Sequence, residues 1–123
     1  MGGGSERSHF PWTDGVIYDN FGSDVRHTTV DPTPALTSWR LYNVSSAPNS
    51  WSSSLDTTKI YSTNTNTVYF SSANRYIGRS VEGTGDYILL GYIAEILFYG
   101  QVQSAANKST IEQYLKTKYN LSY

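Results

Sequence analysis

The stretch Gly91-Tyr92-Ile93-Ala94-Glu95-Ile96-Leu97-Phe98-Tyr99-Gly100 decides the predicted fold of this chain of 123 residues. Neighbouring side chains of a β-strand point to opposite faces, and here both faces are largely apolar. A strand that is apolar on both faces must be covered on both sides. The pattern therefore predicts a central strand of a layered β structure, which runs from Tyr87 to Tyr99 and has Phe98 in the core.

The apolar period changes from that of a strand to that of a helix shortly after this stretch. Ser104 is a good N-cap, because its hydroxyl can accept from the free backbone N–H groups of a first helical turn. Asn120 stands where a residue in the left-handed conformation commonly ends a helix. The sequence predicts one C-terminal helix over residues 104–119 that closes one end of the β structure. Its inner stripe consists of Ile111, Tyr114, Leu115, Lys118 and Tyr119.

Shorter strands precede the central stretch, separated by turn residues at about 8–12 residue intervals, which is typical of an antiparallel sandwich or barrel. Trp39–Val44 alternates clearly and predicts a strand with Trp39 in the core. Trp51–Leu55 and Lys59–Ser62 predict the arms of a hairpin, with Asp56-Thr57-Thr58 at its turn.

The composition narrows the class of protein. Nine basic and ten acidic residues leave a formal charge of −1, which gives no electrostatic case for nucleic-acid binding. No run is long enough to predict membrane insertion, and the absence of cysteine excludes disulfides and thiolate metal sites. Eleven tyrosines and three tryptophans in a weakly charged chain suit surfaces that stack on neutral ligands. Residues 1–8 are interpreted as a flexible glycine and serine arm, and residues 9–123 as one domain.

Several of these stretches resemble the carboxyl-terminal part of a concanavalin A-like, or laminin G-like, jelly-roll domain. The strongest matches are Gly91–Tyr99, Ile111–Leu115 and Lys118-Tyr119, and softer ones are Ser38–Asn43, Asn66-Thr67-Val68 with Phe70, and Ile77–Ser80. The resemblance implies an all-β fold, an antiparallel jelly-roll β-sandwich with one C-terminal α-helix. Asp56-Thr57 stands where such domains often carry an Asp-Gly turn.

The chain is shorter than the usual domains of this family, and their early strands have no counterpart in it. A sandwich that lacks strands exposes sheet edges and part of its core. We therefore expect either an abbreviated sandwich or one that neighbouring chains complete, and we favour completion within a symmetric homo-oligomer.

Catalytic chemistry has little support in the sequence. Glycoside hydrolysis needs two carboxylates about 5–10 Å apart, and the Glu-x-Asp-x-x-Glu pattern of enzymes that share the resembled fold is absent. Glu95 is the only carboxylate inside a strong strand, and we expect it to bond an arginine or a backbone N–H in a structural role. We therefore expect no enzymatic activity.

The resemblance also raises calcium as a ligand, because laminin G-like domains often bind it. Asp19, Asn20 and Asp24 are the candidate oxygen ligands, although their spacing matches no defined cage and ordinary turns explain it as well. The expected cofactor is therefore none, with calcium as the alternative. His9 and His27 are too isolated for a zinc site or a catalytic relay, and are expected to be surface or packing residues.

Four aromatic residues are the candidates for glycan binding, since their rings could stack on sugar faces while neighbouring Asn and Ser side chains bond hydroxyls. Core packing is the alternative role for each of them. They are Trp12, Tyr42, Trp51 and Tyr76.

These observations favour a non-enzymatic, lectin-like module that binds glycans or a cell-surface polysaccharide weakly at each site and gains strength by multivalency. Small sandwiches of this kind resemble domains of bacteriophage fibres and virion decoration proteins, which implies an extracellular or virion-surface location and virion structural proteins as partners. The opening residues lack an apolar signal-peptide core, which is compatible with release by lysis. The alternatives are a purely structural capsid decoration or fibre subunit without sugar binding, and a fragment of a glycan-degrading enzyme.

Overall fold

The computed structural model of the chain describes residues 8–32, 36–70, 76–82 and 85–123. Within these residues it contains seven strands and one helix. They are β1 (Tyr18–Asp19), β2 (His27–Thr28), β3 (Tyr42–Ala47), β4 (Ser50–Leu55), β5 (Thr58–Thr63), β6 (Arg79–Glu82), β7 (Gly85–Ile88) and α1 (Ala105–Lys118).

The strands of the described residues pair in three small antiparallel sheets, ordered β1–β2, β3–β4–β5 and β6–β7. The prediction of an all-β antiparallel protein with one C-terminal helix is therefore confirmed at this level. The predicted arm falls on residues 1–7, which lie outside the described residues, and on Ser8. The Ser8 hydroxyl is held in place, because it donates to Asp19 Oδ1 at 2.6 Å.

The β3–β4–β5 sheet holds two of the four buried apolar residues of the described chain, Trp51 and Leu55. β4 is its middle strand, and it pairs with β3 from Tyr42↔Leu55 to Ala47↔Ser50. Because β4 has a neighbour on each side, its apolar residues are the best covered in the sheet: Trp51 is 0% exposed and Leu55 is buried. The hairpin predicted from the β4 and β5 sequences is confirmed.

β5 contains a bulge halfway along its length. Ser53 lies opposite Tyr61 and Ser54 lies opposite Lys59, which leaves Ile60 without an opposite residue on β4. An extra residue in one strand changes the direction of its side chain and increases the local twist. Ile60 thereby becomes part of the wall of a pocket beside the hairpin.

The two-residue turn between β4 and β5 is strained. Asp56 and Thr57 have φ angles of 48° and 70°, in the left-handed region that glycine favours and that a β-branched residue rarely adopts. We expect Thr57→Gly to raise the free energy of unfolding by about 0.5–1 kcal/mol, because relief of the steric cost exceeds the added backbone entropy of the unfolded chain. Urea unfolding followed by circular dichroism measures the change. Thr58→Gly, placed inside β5, is the control and should lower the same free energy. A Thr57→Gly protein no more stable than the parent would contradict the prediction.

An N-terminal layer packs against the β3–β4–β5 sheet. His9 forms a bridge with Tyr18 of β1, and Ile17 just before β1 is fully buried. The indole N–H of Trp51 donates to the backbone oxygen of Phe21 at 2.9 Å, so the core tryptophan ties this layer to β4.

The predicted central strand over Tyr87–Tyr99 is wrong for most of its length. Only its first two residues belong to a strand, β7, whereas residues 89–103 form no strand among the described residues and Phe98 is exposed. The apolar pattern demands cover on both faces, but a strand also needs hydrogen-bonded neighbours. None of the described strands pairs with residues 89–103.

The strand predicted over Trp39–Val44 begins later than expected, at Tyr42, and continues to Ala47. Trp39 lies before the strand and is 54% exposed, with its ring centroid 6.5 Å from that of Tyr92. The prediction that Trp39 belongs to the core is wrong, since alternation assigns a face only to residues that the strand contains.

The C-terminal helix is confirmed with its predicted caps. Ser104 accepts from the backbone N–H of Asn107 at 3.2 Å, and Asn120 has a φ angle of 49°. Leu115 is the buried residue of the helix. The helix contacts β3 through the Asn43 amide, which donates to Glu112 Oε1 at 2.8 Å. No helix in the described part of the chain has the length and apolar character needed to cross a membrane.

Candidate functional site

A pocket of about 530 Å³ lies beside the turn between β4 and β5, and we call it the turn pocket. Four parts of the chain build it: the segment after β2, the segment before β3, the β4–β5 hairpin, and the residues after α1. Its lining residues are Val30, Pro32, Arg40, Leu55, Asp56, Thr57, Thr58, Ile60 and Tyr123.

Asp56 and Arg40 form the charged part of the turn pocket. Asp56 Oδ2 accepts from Arg40 Nε in an ion pair, and Asp56 Oδ1 accepts from the backbone N–H of Leu41 at 2.9 Å. The backbone N–H of Asp56 in turn donates to Leu41 O at 2.8 Å. These contacts attach the hairpin end to the segment before β3. Because both side chains are largely buried, the pair is a fixed group in the pocket wall.

Tyr123 is the aromatic residue in the lining of the turn pocket. The Lys116 ammonium lies 4.9 Å from its ring centroid and donates to its backbone oxygen. The phenolic oxygen is buried and has no hydrogen-bond partner among the described residues. Burial, with a smaller contribution from the negative charges of Asp56 and Glu112, raises the pKa of Tyr123. The hydroxyl therefore stays protonated at neutral pH and is available as a donor.

The turn pocket combines apolar walls with groups that recognise hydroxyls. Its volume falls within the range of roughly 300–1,000 Å³ that small-molecule sites occupy. Thr57 and Thr58 carry hydroxyls that can both donate and accept, and Tyr123 adds an unpartnered one. Arg40 and Asp56 neutralise each other. The arrangement suits a neutral, polar ligand better than an ion.

The structure places the four predicted glycan-binding aromatics in different environments. Trp51 lies in the core and presents no ring face at the surface, which corrects its prediction as a stacking residue. Trp12 is 36% exposed, with its ring 4.3 Å from that of His9. Tyr76 is exposed, with the guanidinium of Arg79 5.9 Å from its ring.

Tyr42 packs against Phe10, and its hydroxyl bonds to the buried Asp19 side chain. Its ring lies edge-on to Phe10 at 4.8 Å, and its hydroxyl donates to Asp19 Oδ2 at 2.7 Å. Burial, followed by the charge of Asp19, raises the pKa of Tyr42. Phe10 is the exposed member of this ring pair, and the sequence reading missed it as a surface aromatic.

The three calcium candidates differ in their surroundings. Asp19 and Asn20 are both 1% exposed, whereas Asp24 is exposed. Asp19 Oδ1 accepts from Ser8 and from the backbone N–H of Phe21, and Oδ2 accepts from Tyr42, so both oxygens already have donors. Within the described residues no group of three or more His, Cys, Asp or Glu side chains is placed to hold a metal ion. Hydrogen-bond acceptance explains Asp19 better than metal ligation.

His27 is a packing residue, as predicted, and we expect it to make stability depend on pH. Its ring is buried 4.2 Å from that of Trp51, and Nε2 lies 3.2 Å from Ser23 Oγ. Burial lowers the pKa of His27 below its usual 6.5, with Asp19 and Asp24 partly opposing the shift. The unfolded chain therefore takes up a proton first as the pH falls.

The free energy of unfolding should consequently decline as the pH drops below about 6.5, until the folded-state pKa is reached, with a slope of at most about 1.4 kcal/mol per pH unit from this residue. Chemical unfolding between pH 7.5 and 5 measures this slope. His27→Gln should remove the His27 part of it, and His9→Gln is the control. An equal slope in the parent and His27→Gln proteins would refute the assignment.

The hydrogen-bond partners of Glu95 differ from those that the sequence predicted. It accepts from Lys118 Nζ at 3.1 Å and from the Tyr119 hydroxyl at 3.0 Å, rather than from an arginine or a backbone N–H. The hydrogen bond from Lys118, followed by that from Tyr119, lowers the pKa of Glu95. The residue connects the segment before α1 to the end of the helix.

Comparisons with known protein families, with curated proteins and with solved structures find no match for this chain. Its own fold and site define its class: a small antiparallel β protein with one C-terminal helix and a pocket of mixed polar and apolar character. Sequence reasoning recognised Asp56-Thr57 as a turn but missed the pocket. Arg40 and Tyr123 lie far from the turn along the chain. Only the folded structure places them beside it.

Proposed function

We propose that the protein is a non-enzymatic, lectin-like module of the concanavalin A-like jelly-roll type, which binds a glycan residue in the turn pocket and acts at an extracellular or virion surface. The observation that carries the proposal is Tyr123, which lines a pocket of about 530 Å³ and whose buried hydroxyl has no partner among the described residues. A buried hydroxyl without a partner is costly, and a ligand hydroxyl would satisfy it.

The chemistry of the turn pocket supports a sugar as the ligand class. A pyranose presents apolar C–H faces and several hydroxyls, which match the ring of Tyr123, the side chain of Ile60 and the threonine hydroxyls of the turn. The fixed Arg40–Asp56 pair adds directional polar groups without net charge. Exposed Trp12 and Tyr76 remain predicted contacts for further sugar units.

A glycan array followed by calorimetry tests the proposal with two variants. Tyr123→Phe should bind its ligand about 3- to 10-fold more weakly, which corresponds to the loss of one neutral hydrogen bond. It should unfold at the same or a higher denaturant concentration, because the hydroxyl has no protein partner among the described residues. Ile60→Trp should fill the pocket and abolish binding.

Tyr99→Phe is the matched control for this experiment, because Tyr99 is exposed and outside the turn pocket. An array without any hit for the parent protein would refute glycan binding altogether. Hits that Tyr123→Phe and Ile60→Trp both retain would place the binding elsewhere, with Trp12→Ala as the next variant.

A purely structural role, as a decoration or fibre subunit, is the second candidate function. The observation that favours it is the run of exposed apolar residues between β7 and α1, which includes Leu90 and Tyr92. Contiguous exposed apolar surface of this kind marks interaction sites. A defined oligomer that binds no glycan on the array would favour this role over the lectin-like one.

A further inference from the structure

The segment Leu89–Val102, which we call the apolar segment, exposes more hydrophobic surface than any other part of the described chain. Leu90 is 89% exposed and Tyr92 is 88% exposed. Among the described residues, no backbone group from Leu90 to Val102 has a backbone hydrogen-bond partner. Two of its carbonyls accept from side chains: Ala94 O from the Tyr119 hydroxyl at 3.5 Å and Gln101 O from the Gln103 amide at 3.0 Å. The segment thus has the apolar side chains, and along most of its length the unpaired backbone, of a strand that lacks its neighbours.

The apolar segment exposes enough hydrophobic surface for a protein interface. With 150–250 Å² for a large apolar residue, the apolar segment and Ile88 expose on the order of 1,000 Å². A standard protein interface buries about 800 Å² on each partner. The apolar segment is therefore sufficient for one.

The apolar segment is held to the rest of the chain at both ends of its length and carries no free charge. The backbone N–H of Leu89 donates to Gly78 O at 2.8 Å, and the Phe98 ring is stacked on Phe21 at 6.4 Å. Its one charged residue, Glu95, is already paired with Lys118. Nothing in the segment repels an identical segment.

We propose that a second copy of this chain covers the apolar segment, and that the two segments pair as antiparallel strands about a two-fold axis at Ala94. This register places Tyr92 opposite Ile96, an aromatic and β-branched pair that stabilises sheets. It also keeps the two Glu95 side chains from lying directly opposite each other, where like charges destabilise. A two-fold interface closes on itself and yields a dimer rather than a fibre. The proposal does not depend on glycan binding.

A disulfide experiment tests the register directly, because the chain has no cysteine. In Ala94→Cys the two thiols would face each other across the axis, within the Cα separation of 4.4–6.8 Å that a disulfide needs. Pairing gives them a millimolar effective concentration, so at about 1 micromolar protein the cross-link should form about 1,000-fold faster than by random collision. Ala106→Cys is the matched control, since Ala106 is exposed in the first turn of α1, outside the apolar segment.

The expected result is a parent protein of twice 13.7 kDa by light scattering and rapid cross-linking of Ala94→Cys alone. Ile96→Asp should convert the dimer to a monomer. Combined with Ala94→Cys, it should lower the cross-linking rate to that of random collision. A monomeric parent, or equal cross-linking rates for Ala94→Cys and Ala106→Cys, would overturn the proposal. Sugar binding by the turn pocket is measured separately, so the two proposals fail independently.

Discussion

Trp51→Ala should lower the free energy of unfolding by about 3–5 kcal/mol, the usual cost of deleting a large aromatic side chain from a core. Trp51 is fully buried in the middle strand of the largest sheet, and its indole N–H donates to Phe21 O. The buried apolar core of the described residues is small: Ile17, Trp51, Leu55 and Leu115. Since small domains have only about 5–15 kcal/mol of stability, the substitution should remove a large part of it.

Urea unfolding followed by tryptophan fluorescence and circular dichroism measures this loss, with Trp39→Ala as the matched control. Trp39 is 54% exposed, so its replacement should cost less than about 1 kcal/mol. The alternating pattern by itself predicted a core position for Trp39. Similar losses in the two variants, or a greater loss in Trp39→Ala, would contradict the burial described above.

Asp19→Ala should cost about 3–4 kcal/mol, because it leaves several buried donors without an acceptor. The Asp19 side chain is 1% exposed and accepts from the Ser8 hydroxyl at 2.6 Å, the Tyr42 hydroxyl at 2.7 Å and the Phe21 backbone N–H at 2.9 Å. These three bonds join the N-terminal residues, the loop after β1 and β3. Thermal or urea unfolding measures the loss.

Asp24→Ala is the control for Asp19, because Asp24 is exposed and belongs to the same calcium hypothesis. It should change the free energy of unfolding by less than about 0.5 kcal/mol. Millimolar calcium should leave the midpoint of the parent protein unchanged. A midpoint that rises with calcium, and a rise that Asp24→Ala abolishes, would restore the cation site that the hydrogen-bonded geometry of Asp19 argues against.

The elements that the sequence predicts well are those whose determinants lie within a few residues. The helix begins after Ser104 and ends before Asn120, as predicted, because capping is a bond between near neighbours. The β4–β5 hairpin follows from two short alternating runs and the turn at Asp56-Thr57. Tertiary contacts are not needed to recognise either signal.

The candidate site was predicted less well. Of the four proposed aromatics, Trp12 and Tyr76 are exposed, Tyr42 is half-buried with its hydroxyl on Asp19, and Trp51 is in the core. An aromatic residue looks the same in the sequence whether its ring packs in the core or faces solvent. Only the residues around it in the folded structure decide between the two positions. The turn pocket had no local signal beyond a turn, because residues far apart in the chain converge there.

Local sequence was enough to predict the antiparallel hairpin and the capped C-terminal helix. Long-range packing was needed to establish which tryptophan is buried, how Tyr123 meets the β4–β5 turn, and that residues 89–102 lack strand partners among the described residues. Caps and turns satisfy hydrogen bonds between near neighbours, whereas burial and strand pairing depend on groups distant in the chain or in another molecule.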